Sequence, residues 1–210
     1  MKQDEQTTVI TTITDYLQRE VFCALPEHLY YHNIGHTMND VLPASIHLAS
    51  LESLSSDDLF ILKTSALFHD TGFIRQYPAN EEFGAQIAGE VLPGFGYSKN
   101  EIQRISNIIL ATRISPVKDR FVQSAGDDPL EKIICDADLD NFGRDDFFDK
   151  SANLYREMSH FGATPNGKEW VDYLVFILET HRYYTDSATR LRADGQTANL
   201  AQARKLLPTS

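Results

Sequence analysis

The chain has 210 residues, 42% of them hydrophobic, two cysteines and a formal net charge of −11. That length and composition suit one globular domain over residues 1–210 with a substantial core. The acidic balance excludes a sequence-independent binder of duplex nucleic acid, whose phosphates it repels. A small phosphorylated substrate remains compatible, because a metal ion and a few local cations suffice to draw it in. Cys23 and Cys135 supply neither a disulfide framework nor zinc-knuckle spacing, and read as reduced, buried thiols. The opening Met1-Lys2-Gln3-Asp4-Glu5-Gln6 is polar and unlike a signal peptide, and no apolar run approaches the roughly 20 residues that span a bilayer. No membrane role is expected, and the cytoplasm is the default location.

Val9, Ile13, Tyr16, Leu17 and Phe22 share roughly one face of a helix predicted over residues 8–22. A second helix is predicted from about residue 35 to 54, bent or delayed by Pro43. A third starts at the capping cluster Ser55-Ser56-Asp57-Asp58 and ends near Gly72. Further helices are expected near residues 81–92, 98–112, 129–141, 145–160, 168–184 and 187–207. Pro93-Gly94-Phe95-Gly96 and Ser115-Pro116 mark loops, and Asp194-Gly195 is expected to break the last helix. Few segments alternate with period two, so almost no sheet is predicted. There is no repeat or low-complexity linker. The expectation is an all-α, single, multi-helix bundle.

The chemistry concentrates in three places. Leu67-Phe68-His69-Asp70-Thr71-Gly72 follows an apolar run, so His69 and Asp70 sit near a helix end that faces a core. An ionisable pair there is costly unless compensated, and a divalent cation is the strongest compensator. Tyr31-His32-Asn33-Ile34-Gly35-His36-Thr37 lies upstream, and Cys135-Asp136-Ala137-Asp138-Leu139-Asp140 lies downstream. Imidazole nitrogens with carboxylate oxygens, and no thiolate in the motif, suit Mn, Fe, Co, Ni, Zn or Mg.

A His, then His-Asp, then an Asp, within YHNIGHT, ALFHDTGF and CDADLDNFGRDDFF, resembles the HD superfamily of metal-dependent phosphohydrolases. The likeness spans residues 31–148, and the C-terminal helices at 165–208 are expected to pack on that core. The resemblance implies a bundle with its metal site in an interior groove. Its ligands carry over onto His36, His69, Asp70 and Asp138, with Asp136 as the alternative fourth ligand. It implies hydrolysis of a phosphomonoester or phosphodiester of a nucleotide or other small molecule. His69 and Asp70 are the catalytic candidates, with Asp70 orienting or deprotonating the attacking water. Two-metal members carry further histidines after the His-Asp pair. This chain has none between His69 and His160, so one divalent ion is expected. Some nucleotidases of the family also carry a Glu just after that pair, where this chain has Thr71-Gly72-Phe73-Ile74. These departures motivate the alternative of a catalytically silent, metal-holding regulatory or scaffolding module.

Several other residues are candidates for lesser roles. Glu81 and Glu82 are candidates for a second, weaker ion or a proton shuttle, against the plainer reading of an acidic helix start. Arg113 and Arg75 lead the candidates for substrate phosphate, followed by Lys118, Arg144 and Arg182; a guanidinium binds phosphate bidentately. His28, His32 and His36 are spaced four apart, but Pro26 and Gly35 argue against one helical face. His32 is expected to hydrogen-bond or line the pocket, His47 to be a partly buried helix residue, and His181 to serve packing. Tyr30, Tyr31, Phe73 and Tyr77 read as core aromatics that could alternatively stack on a base. The amphipathic terminal helices can pack at home or in a homo-oligomer.

Overall fold

Helix α3 (Ser56–Phe68) is apolar on nearly every side, and this decides the layout. From Phe60 to Phe68 every residue except Lys63 is buried. A helix without a polar face has to be surrounded, and α3 packs against α1 (Gln3–Glu20), α2 (Leu42–Leu51), α4 (Asn80–Val91), α5 (Lys99–Ala111) and α6 (Pro129–Asp138). Burying Phe60, Leu62, Leu67 and Phe68 contributes roughly 1.5–3 kcal/mol each. The computed structural model describes residues 2–117, 120–162 and 166–207, so Lys118 lies outside the described residues.

Three further helices complete the all-α architecture: α7 (Phe147–His160), α8 (Gly167–Thr180) and α9 (Asp186–Lys205). They build a second apolar cluster around Phe142, Phe147, Trp170, Leu174, Ile177 and Ala203. Ala137 belongs to the first cluster and Leu139 to the second, so Asp138 sits where the two meet.

Caps agree with the sequence at α3, where the Ser55 side chain accepts from the Asp58 N–H, and at α5, where Ser98 and Glu101 form a capping box. The second predicted helix departs from expectation. His36–Val41 is a π-helical turn leading into α2. Pro43 has no N–H to give to the Asn39 carbonyl four residues back, and the Leu42 N–H reaches five residues back to the Thr37 carbonyl. Such wide turns are frequent at functional sites.

Ser115 and Pro116, predicted as a loop, lie in β1 (Ile114–Val117), which pairs antiparallel with β2 (Arg120–Gln123). A two-stranded ribbon consists of edges only, and edges tolerate proline. Asp194-Gly195 does not break α9, because the missing Cβ is needed for packing. A Cβ on Gly195 would lie 2.1 Å from the Gly143 carbonyl oxygen, in the turn Asp140–Gly143. Two burial expectations also fail: His47 and Cys23 are exposed, whereas Cys135 is buried. Among the described residues, no helix is long and apolar enough to cross a membrane.

Candidate metal centre

The C-terminal end of α3 delivers His69 and Asp70 together. Gly72 lets the next turn lie flat on the start of α4: a Cβ there would meet the Asn80 carbonyl oxygen at 1.8 Å. That contact brings the Asn80 amide to Asp70, where Nδ2 donates to Oδ1 at 3.2 Å. His69 is buried, and its Nδ1 donates to the Ala66 carbonyl at 2.8 Å. The lone pair is therefore on Nε2.

Four atoms from three segments converge. His69 Nε2 lies 3.1 Å from Asp70 Oδ2 and 3.7 Å from Asp138 Oδ1. His36 Nε2, from the π-helical turn, lies 3.0 Å from Asp138 Oδ1 and 3.8 Å from Asp70 Oδ2. Ligand atoms about 2.1 Å from an octahedral ion sit roughly 3 Å apart when adjacent, so these spacings suit one shared ion. His69 Nε2 and Asp70 Oδ2 are buried with no hydrogen-bond partner among the described residues. Buried polar atoms normally find partners, and a cation between them supplies one. His36, His69 and Asp70 could hold a metal ion, with the Asp138 carboxylate adjoining.

The electrostatics point the same way. Burial alone would lower His36, but the Asp138 and Asp40 carboxylates, with the charge of Asp70, raise it to about 10. Burial likewise opposes the charged form of His69, and Asp70 and Asp138 more than compensate. Burial works against ionisation of Asp70, yet the neighbouring imidazoles hold it below the usual carboxylate range. The cluster thus attracts positive charge.

A supporting layer orients these groups. His36 Nδ1 faces Asp40 Oδ2 at 3.7 Å, and Asp40 is held by Lys150 and by Arg144 at 2.9 Å. Gln123, at the end of β2, donates from Nε2 to Asp138 Oδ2 at 2.7 Å and to the Thr112 carbonyl at 2.9 Å. A carboxylate behind a ligating histidine, and an amide behind a ligating carboxylate, are the usual means of fixing such groups. Asp40 was detectable as the residue four beyond His36. Gln123 carries no signal in sequence, because its role depends on the hairpin.

Asp136 points elsewhere. It accepts from the Tyr184 and Thr185 N–H groups at 2.7 and 2.8 Å and from the Thr185 hydroxyl at 2.7 Å, tying α6 to the start of α9. The three spaced histidines also separate. His28 lies tilted against His160, with ring centroids 3.6 Å apart, and His32 stacks on Phe73 at 4.6 Å. His32 Nδ1 pairs with Glu157, a fully buried carboxylate on α7. Glu157 also accepts from the Tyr31 and His32 N–H groups at 2.8 and 3.0 Å and from the Tyr77 hydroxyl at 3.1 Å. Burial resists its charge, but His32 and these donors hold it below the ordinary glutamate range. His181 is buried against Phe142 and Tyr183.

The candidate phosphate cations are engaged. Arg113 pairs with Glu82 at 2.7 Å and lies 3.8 Å from Glu81. Arg75 pairs with Glu90 at 2.7 Å. Arg182 donates to the Glu179 and His181 carbonyls, closing α8. Arg144 backs Asp40. Glu81 is half-buried, and burial with the nearby Asp70 and Asp138 charges raises its carboxyl despite Arg113.

Beside Asp138 lies a cavity of about 190 Å³ whose wall includes Tyr31, His32, Tyr77 and Asn141. Burial, reinforced by Asp138, Asp70 and Asp40, keeps the Tyr31 phenol neutral.

No family model matches the chain, and no curated protein sequence matches it. Among solved structures it is similar to Bacillus subtilis YpgQ, whose crystal structure is a complex with ADP. The TM-score is 0.64 at 18% identity, covering 97% of each chain. The two chains share a fold.

Proposed function

We propose that this chain is a member of the HD superfamily and a metal-dependent phosphohydrolase acting on a small phosphate ester. The observation that carries the reading is the convergence of His36 Nε2, His69 Nε2, Asp70 Oδ2 and Asp138 Oδ1, two of them buried with no hydrogen-bond partner among the described residues. These four side chains would hold one divalent ion, and Asp136 has no part in it. Mn, Fe, Co, Ni, Zn and Mg all suit the donor set. The ion supplies Lewis acidity and acidifies a water.

The chain's own residues do the rest. Asp70, steadied by Asn80, orients the attacking water and takes its proton. His32 faces the same region with Nδ1 held by Glu157, and as an imidazolium it would give its Nε2 proton to the departing ester oxygen. The water oxygen bonds to phosphorus, the ester P–O bond breaks, and the alcohol leaves with the His32 proton. A nucleotide is one substrate class, and the ADP complex of the fold neighbour is compatible with it.

The test is hydrolysis of an aryl phosphate, an aryl phosphodiester and a nucleotide set with Mn, Co, Ni and Mg, comparing the wild-type chain with Asp70→Ala. Metal-dependent release that disappears in the variant is expected. Survival of both metal content and hydrolysis in Asp70→Ala would sink the reading. The pairing of Arg113 and Arg75 with glutamates favours a second reading, a metal-holding regulatory module. It requires stoichiometric metal with no turnover across the panel.

A further inference from the structure

Glu157 does more than pair with His32. Its carboxylate is fully buried, and a carboxylate offers about four acceptor positions. Oε2 takes the backbone N–H groups of Tyr31 and His32, at 2.8 and 3.0 Å. Oε1 takes His32 Nδ1 and, at 3.1 Å, the Tyr77 hydroxyl. The last torsion of a glutamate is soft and has no strong rotamer of its own. Without Tyr77, the donor left on Oε1 among the described residues is His32, the very group that this oxygen has to orient. The Tyr77 hydroxyl is therefore the independent anchor. Burial and the Glu157 charge keep its phenol in the neutral, donating form.

The Tyr77 ring reaches His32 by a second route. It packs against Phe73 with centroids 5.4 Å apart, and Phe73 stacks on His32 at 4.6 Å. Phe161, the residue after α7, stacks on Tyr77 at 4.1 Å and 14° from parallel. The imidazole is thus held at its edge by Glu157 and on one face by Phe73, and Tyr77 touches both. The backbone is strained to put it there. Ala79 has a φ of 57°, in the left-handed region, as α4 begins. A residue with a Cβ adopts that conformation at a cost, and such strain gathers at functional sites. Gln76 Nε2 closes the same loop by donating to the Pro78 carbonyl at 2.6 Å.

We infer that Tyr77 is a positioning residue for proton transfer: its hydroxyl fixes Glu157 Oε1 and its ring backs Phe73, so that His32 presents Nε2 to the departing ester oxygen. The inference rests on the hydrolase reading for the transfer itself. As the P–O bond breaks, its electron pair goes to the ester oxygen, which takes the Nε2 proton. A leaving group that is stable as an anion departs without that proton, and a poor one needs it. Tyr77 therefore governs esters of weakly acidic alcohols and phenols, not those of strongly acidic phenols.

The experiment compares the full chain with Tyr77→Phe, which keeps the ring contacts and removes the hydroxyl. With Mn present, kcat and KM are measured for 4-nitrophenyl and phenyl monophosphates, or for their methyl diesters if only diesters turn over. In Tyr77→Phe, kcat for the phenyl ester should fall about tenfold or more, part of the roughly 10²–10⁴-fold that a positioned acid contributes. KM and metal content should hold, and the 4-nitrophenyl ester should change by no more than about twofold, since its phenolate needs no acid. An equal fall for both esters, or no fall, overturns the inference. The positioning is read separately by NMR of the His32 imidazole. Its Nδ1 proton should be slow to exchange in the wild-type chain and lost to exchange in Tyr77→Phe. An unchanged signal overturns the inference whether or not any ester is hydrolysed. A signal lost as expected, with no turnover of any ester, upholds the positioning by Tyr77 and sinks the hydrolase reading.

Discussion

Nδ1 of His69 is committed to the Ala66 carbonyl, so the direction of Nε2 is set by backbone and not by a flexible side chain. Asp138 and Asp70 are steadied in the same spirit by Gln123 and Asn80. Removing either amide leaves the proposed ligands in place but loosens them. Gln123→Leu and Asn80→Ala should each weaken metal binding by roughly 10–100-fold while leaving the far-ultraviolet circular dichroism unchanged. Unchanged affinity in both would show that the amides do not orient the carboxylates. His181 gives a pH effect with a definite sign. Burial, with Arg182 nearby, lowers it to about 4 from 6.5. The folded state then holds it neutral while the unfolded chain binds a proton below 6.5. Its contribution is complete above pH 6.5 and is lost as pH falls toward 4, amounting to about 2 kcal/mol at pH 5. Urea titrations at pH 5 and 7.5 should show a smaller difference in His181→Phe than in the wild-type chain. The four side chains that converge were legible in sequence because they are adjacent or sit in compact motifs. Gln123 and Glu157 were not, since each acts across the fold, Glu157 on His32 from 125 residues away.

At the scale of elements, most helices follow from periodicity and caps, and the departures come from contacts that local sequence does not encode. The wide turn at His36–Val41 sets His36 and Asp40 facing each other. Pro43 hinted at a bend there, without its form. Asp194-Gly195 reads locally as a break, yet the glycine permits α9 to touch the turn that carries Asn141 and Phe142. Gly195→Ala should therefore destabilise the fold by about 1–3 kcal/mol through overpacking, although alanine is the better helix former. A urea midpoint unchanged or raised would mean that the close approach is not tight. The hairpin was invisible because its strands are only four residues each.

At the scale of the molecule, the proposed ion sits where two apolar clusters meet, at Asp138 between Ala137 and Leu139. An ion bound only by the folded state stabilises it by mass action, by about 2.7 kcal/mol at ~100 times Kd. For a chain of this size that corresponds to roughly 5–10 °C in Tm. Adding a chelator should lower Tm by that order, and restoring the ion should reverse it. No shift would separate metal binding from folding. The all-α class was legible because a largely apolar α3 and its helical neighbours leave few other arrangements. The cavity was not, because its wall is assembled from several elements far apart in the chain.

The most direct test of the central claim is elemental analysis of the purified chain beside His36→Ala, His69→Ala, Asp70→Asn, Asp138→Asn and Asp136→Asn. About one divalent metal per chain is predicted in the wild-type chain and in Asp136→Asn, with loss in the other four. Metal retained in those four, or none bound by a folded wild-type chain supplied with Mn, Co, Ni or Mg, would contradict the account.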